Sequence, residues 1–181
     1  MKALITLIAA LAAGPALADA PLPPPERFTA CSSARNLCAD SDPALNSTRV
    51  TPQASGQEAW LIPGWHRWLF PSDDGESVVV GYEGMNLVPA DVRLSEPVLL
   101  FYHRGRLVRT VTLGQLYRRT SQLRRTVSHF AWASTIGFNH SNQLVVELVN
   151  GEKVGFAPRT GAREPVRPDG RGRRLDPRGA H

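Results

Sequence analysis

Asn150-Gly151 stands between two short apolar runs, Leu144–Val149 and Lys153–Phe156, and this arrangement constrains the fold more than any other feature of the chain. Asn-Gly suits the tight turn whose twist matches that of two antiparallel strands. The same grammar recurs upstream. Val98–Tyr102 and Leu107–Leu113 flank His103-Arg104-Gly105-Arg106, a second hairpin. Pro71–Gly75 is a turn, and Ser77–Tyr82, with three consecutive valines, follows as a strand. Glu58–Ile62 ends at Pro63-Gly64, and Trp65–Phe70 is the next run. With 15 Gly and 15 Pro, many of them at these boundaries, short strands are favoured over a helical bundle. The expectation is a mainly β chain, folded as a single antiparallel sandwich or barrel-like domain.

One short helix is expected at about 113–124. Thr112 and Gln115 fit a capping box, in which the two side chains satisfy free backbone donors. Leu113, Leu116, Tyr117, Thr120 and Leu123 then recur at helical spacing. The segments Phe70–Val80 and Val149–Phe156 each resemble one hairpin of a β-propeller blade. A propeller needs at least four blades of about 40 residues. This chain is too short to close one on that count, and it shows no repeat of fixed period.

The ends of the chain differ from its middle. Residues 1–20 have the form of an export signal: Lys2, an apolar run over Leu4–Ala13, and small-x-small patterns at Ala16-Leu17-Ala18 and Ala18-Asp19-Ala20. That run is too short for a good membrane anchor, and no later one could span a bilayer as a helix. Removal of the signal leaves about 160 residues, which fits one domain. Residues 21–26 form a proline-rich lead-in, expected as an extended spacer. The β-rich domain is expected over 27–157. Residues 158–181, with Val166 and Leu175 as their only large apolar side chains, are expected to be a disordered basic tail. The alanine-rich signal, and 19 Arg against 2 Lys, suggest a GC-rich bacterial source and a periplasmic or secreted product.

Cys31 and Cys38 are the only cysteines. In an exported chain such a close pair is expected to form a disulfide, worth roughly 2–3 kcal/mol by loop closure. Their spacing is not C-x-x-C, which removes a thioredoxin-like motif. Two thiols with no nearby histidine make a poor zinc site.

Charge is segregated along the chain. Residues 21–96 carry a net −5, whereas residues 97–146 carry seven arginines and no acid. Arg104, Arg106 and Arg109 belong to the second hairpin; Arg118, Arg119, Arg124 and Arg125 belong to the expected helix or its end. If hairpin and helix adjoin, these seven make a patch for an anionic ligand, a lipid surface or an acidic protein face. The competing expectation is an acidic first half lying against the basic second half. Nucleic acid is a poor partner, since no stacking aromatics are interleaved with the arginines. Trp60, Trp65 and Trp68 crowd together with Phe70. They are either core or, through Trp65 and Trp68, a platform for a sugar ring or an apolar partner.

Catalytic constellations are sparse. Ser128-His129 invites comparison with a nucleophile and its base, yet neighbours on a strand point to opposite faces. No G-x-S-x-G elbow is present. Asp73-Asp74 are adjacent acids in a Ser-Asp-Asp-Gly turn, a place where Asp bonds its own backbone. His66, His103, His129 and His140 are scattered, with no metal-ligand spacing. No cofactor or metal is expected. The function expected is therefore that of an exported, non-enzymatic binding or envelope-associated module. The alternative is a small secreted hydrolase that pairs an acid such as Asp74 with His129.

Overall fold

The computed structural model describes residues 22–54 and 58–168. The expected signal over 1–20 and the tail beyond Pro168 lie outside the described residues. The chain is mainly β, as expected, with antiparallel pairing in four sheets. Strands β1 (Phe28–Cys31), β2 (Leu37–Asp42), β3 (Ser47–Pro52) and β4 (Trp60–Pro63) form the first sheet in chain order. The second takes β5 (Leu69–Pro71), β6 (Ser77–Gly81), β8 (Pro97–His103) and β9 (Arg106–Thr112). The third pairs β10 (Arg124–Arg125), β11 (His129–Ala131) and β7 (Leu87–Pro89). The fourth runs β12 (Ala133–Phe138), β13 (Leu144–Leu148), β14 (Lys153–Phe156) and β15 (Arg163–Glu164).

The second sheet is the middle layer. In β6, Val79 points into one core and Val78 and Val80 into another. This is why that strand is a continuous valine run: both of its faces are buried. Across β8 the division continues, with Leu99 and Phe101 on the first side and Tyr102 on the second. The larger core gathers Leu144, Val146, Leu148 and Phe156 from the fourth sheet and Trp132 from the link between β11 and β12. The smaller core gathers Leu37, Ala39, Val50 and Ile62 from the first sheet. In β2 and β3 alternate residues are buried, the pattern of strands with one face on a core.

Turn chemistry follows the sequence. Arg104 (φ 47°) and Gly105 (φ 78°) both occupy the left-handed region that the tightest hairpin turn requires. Gly151 (φ 85°) closes the β13–β14 hairpin at the expected Asn-Gly. Cys31 and Cys38 face each other in the β1–β2 register and are disulfide-bonded.

Two boundaries differ from expectation. The helix α1 starts where expected but spans only Leu113–Leu116, and Thr120–Gln122 form a separate 3₁₀ turn. Tyr117 turns extended (φ −131°, ψ 142°), which brings its hydroxyl to the Trp132 carbonyl at 2.5 Å and the Val149 N–H at 3.2 Å. A buried side chain with two partners outweighs the propensity of the following residues to continue the helix. The second difference lies at the C-terminal side, where the sheet continues past residue 157 to β15. Gln143, 1% exposed, explains this: its amide donates to the Pro165 carbonyl (3.0 Å) and accepts from the Arg167 N–H (3.0 Å). A buried polar side chain thus captures a stretch with little apolar surface of its own.

Candidate functional site

The seven middle arginines are distributed over the β8–β9 hairpin, the turn after α1 and β10. Arg104 and Arg106 sit at one end of β9, and α1 begins at its other end, about 20 Å away for seven extended residues. Arg104 is spent in an ion pair with Glu76. Arg106 and Arg109 are exposed on β9, an edge strand, where Val108 forms a β-bulge opposite Phe101 and Tyr102. Charges and a bulge on an edge are what deters a second strand from adding to it. The expected patch is thus spread over several elements, and its hairpin part starts at the end of β9 away from α1.

The other four arginines remain as a group. Arg118, Arg119, Arg124 and Arg125 are all exposed, and none forms an ion pair among the described residues. Their local geometry comes from Gln122, whose Oε1 accepts from the backbone N–H of Arg118 (2.9 Å) and of Arg119 (3.1 Å). Arg124 and Arg125 stand on β10 opposite Ala131 and Phe130. Arg118 borders a polar cleft of about 430 Å³ that Gln115, Tyr117, Gln122, Asn150, Glu152 and Arg163 also line. Glu152 there is paired with Arg163 at 2.8 Å.

The acidic first half does not neutralise this segment by contact. Of the acids in residues 21–96, Glu76 alone pairs with cations beyond residue 96 among the described residues. Glu76 is the focus that the sequence did not reveal. It meets Arg104, Arg159 Nη2 (2.6 Å) and His103 Nε2 (3.9 Å). The hydrogen bond from Arg104, reinforced by the charges of Arg104, Arg159 and His103, holds the Glu76 carboxyl below the usual carboxylate range against the opposing effect of burial. Glu76 and Arg104 border a cleft of about 420 Å³ with Pro52, Glu58 and Trp60.

The adjacent acids are turn residues. Asp74 accepts from the Glu76 and Ser77 N–H groups (both 2.9 Å) and from Ser77 Oγ (2.8 Å). Asp73 accepts from the Ala34 N–H at 2.6 Å, and its carbonyl accepts from Asn36. Asn142 Oδ1 accepts from Ser72 Oγ and the Asp73 N–H, both at 3.0 Å. One turn thereby ties the first, second and fourth sheets together. The histidine brought near Asp74 is His103, whose Nδ1 lies 3.2 Å from Ser77 Oγ. Ser77 is fully buried, so this serine–histidine–carboxylate arrangement has no access for a substrate.

Ser128 and His129 depart from the opposite-face expectation. Ser128 precedes β11 instead of lying on it, and its Oγ reaches His129 Nδ1 at 2.8 Å. His66 is held by the Pro63 carbonyl (2.9 Å), and burial lowers its pKa. Among the described residues no three His, Cys, Asp or Glu side chains stand together as metal ligands.

The two tryptophans of interest separate as well. Trp68 packs on the larger core, edge-on to Trp132 at 6.3 Å, and borders an apolar groove of about 340 Å³ with Met85 and Ile136. Trp65 lies in the β4–β5 loop, half-buried, and its indole Nε1 donates to the Glu26 carbonyl at 2.8 Å. Both rings are thus half-buried, Trp68 on the core and Trp65 against the lead-in. No helix among the described residues is long and apolar enough to cross a membrane. Comparison of the chain with protein-family models, with curated proteins and with solved structures gave no match.

Proposed function

We propose that the protein is an exported, non-enzymatic binding module whose ligand is polyanionic and is met at the Arg118–Arg125 segment. The observation that carries this reading is the exposure of four arginines within eight residues, without ion pairs among the described residues, beside a polar cleft. Several other surface cations are engaged: Arg27 with Asp40, Arg104 and Arg159 with Glu76, Arg163 with Glu152, Arg167 with Glu164. Arg35, Arg49, Arg93, Arg106 and Arg109 are also exposed without an ion pair among the described residues, but no eight-residue stretch of them holds four. Unpaired guanidinium groups keep their five donors available for phosphate, sulfate or carboxylate oxygens. Export is supported by the form of residues 1–20 and agrees with the Cys31–Cys38 disulfide. An envelope or extracellular polyanion, lipid surface or acidic polymer, is the ligand class such a compartment offers.

Retention on vesicles containing anionic phospholipid and on a sulfated-polysaccharide resin tests this. The Arg118→Glu/Arg119→Glu protein is expected to elute from at least one of them at clearly lower salt than the wild type. Equal retention of both proteins on both matrices, or no retention of the wild type at low salt, overturns the reading.

A further inference from the structure

The proline-rich lead-in does not hang from the domain as a spacer. Pro23 and Pro24 each precede another proline, so ring closure and the clash with the next ring confine both to extended, polyproline-type backbone. That conformation makes no internal hydrogen bonds, and its carbonyls are open to outside donors. Two carbonyls three residues apart, one turn of such a helix, are each taken. Arg67 Nη2 donates to the Pro23 carbonyl at 2.8 Å, and Trp65 Nε1 donates to the Glu26 carbonyl at 2.8 Å.

The two donors hold each other in place. The Arg67 guanidinium lies 4.9 Å from the centroid of the Trp65 ring. The Trp65 backbone N–H is fixed by Asn46 Oδ1 at 3.2 Å. Arg67 Nε is buried and has no hydrogen-bond partner among the described residues, so one donor of the site is still unsatisfied. Both bonds go to backbone carbonyls and neither reads a side chain. What they select is the spacing of carbonyls along an extended, proline-restricted chain. The occupant is loosely held: Leu22 to Arg27 are all exposed, and besides these two bonds the exposed Arg27–Asp40 pair ties the segment down.

We propose that Trp65 and Arg67 form a binding site for proline-rich extended peptides, closed in cis by the chain's own Pro23–Glu26. The site is independent of the arginine segment over 118–125. A tethered occupant competes at the high effective concentration of a short linker, so a peptide in trans binds weakly until the lead-in is displaced or loses its preorganisation.

The test uses the full chain and a fluorescein-labelled peptide with the sequence of residues 21–27. In the Pro23→Ser/Pro24→Ser/Pro25→Ser protein the labelled peptide is expected to bind about tenfold or more tightly than to the wild type. In that same background Trp65→Phe keeps a ring beneath Arg67 but removes the indole donor, and should weaken binding about fivefold to tenfold. A second readout leaves the site intact. The Trp65 indole N–H should exchange with solvent more slowly in the wild type than in the triple serine protein, and added peptide should slow it again. The proposal is overturned if the triple serine protein does not bind the peptide at millimolar concentration. It is equally overturned if a folded Trp65→Phe protein binds as well as its parent. Should Trp65→Phe not fold, identical indole exchange in wild type and triple serine protein overturns it.

Discussion

Gln143→Glu should turn a pH-indifferent contact into one that opposes folding at neutral pH. The change is isosteric, so packing is preserved, including the close approach of the side chain to Gly155, where a Cβ would lie 2.7 Å from Cδ. The new carboxylate can still accept from the Arg167 N–H. It can no longer donate to the Pro165 carbonyl at 3.0 Å, and it stands beside Glu164 Oε2 at 3.4 Å. Three oxygens then face one another at a position 1% exposed. Burial and the neighbouring carboxylate both raise the pKa of the new group, and a proton on it restores the lost donor. The folded pKa of this acid exceeds its unfolded one. Its penalty is therefore absent below the ordinary carboxylate range and grows by about 1.4 kcal/mol per pH unit above it. If the folded pKa exceeds 7, the cost at pH 7 is about 3–4 kcal/mol, a large share of a domain's usual stability. Release of residues 163–168 is the escape route; it caps the cost and exposes the Arg167 amide to exchange. Urea unfolding at pH 4 and pH 7, with amide exchange at Arg167, reads both effects. A difference from wild type below about 1 kcal/mol at pH 7, with Arg167 still protected, would refute the claim that Gln143 holds the C-terminal strand.

Two further perturbations test the electrostatics. Glu76→Gln removes the common partner of Arg104, Arg159 and His103. Because the folded pKa of Glu76 is depressed, its contribution is present above the ordinary carboxylate range and lost as pH falls through the depressed value. The variant should be about 1 kcal/mol less stable near pH 6, with the gap closing toward pH 2; a gap that persists in acid contradicts the assignment. Arg118→Gln/Arg119→Gln addresses the unpaired segment. Removing charges that repel their neighbours should stabilise the fold by a few tenths of a kcal/mol at 10 mM salt, and the gain should vanish at 1 M, where the Debye length is about 3 Å. Destabilisation at low salt would mean that these arginines are paired after all.

What was legible in the sequence was whatever local chemistry decides. Asn150-Gly151 and Arg104-Gly105 announced their hairpins because the turns need backbone conformations that few residues accept. The valine run of β6 announced a strand, but not that it separates two cores, since that depends on which sheets cover it. The cysteines announced their bond because they are a close pair, the only two, in a chain that begins with the form of an export signal. What was not legible has a common cause: the partner is a backbone group, which every sequence possesses. Gln143 takes the Pro165 carbonyl and the Arg167 N–H, so a stretch with few apolar residues is built into the sheet. Trp65 and Arg67 take two carbonyls of a segment whose composition suggested only a spacer. Tyr117 reaches the Trp132 carbonyl and thereby ends a helix that its own periodicity would continue. Composition measures how much apolar surface a segment brings to the fold. It does not register a donor waiting elsewhere on the chain, and the order of a polar segment is decided by such donors. The arginine segment is the converse case. Its charge was plain in the sequence, but its availability was not, because whether an arginine is free depends on where the acids come to rest. Here Asp73 and Asp74 are consumed by a turn, and Glu76 by its pairs with Arg104 and Arg159.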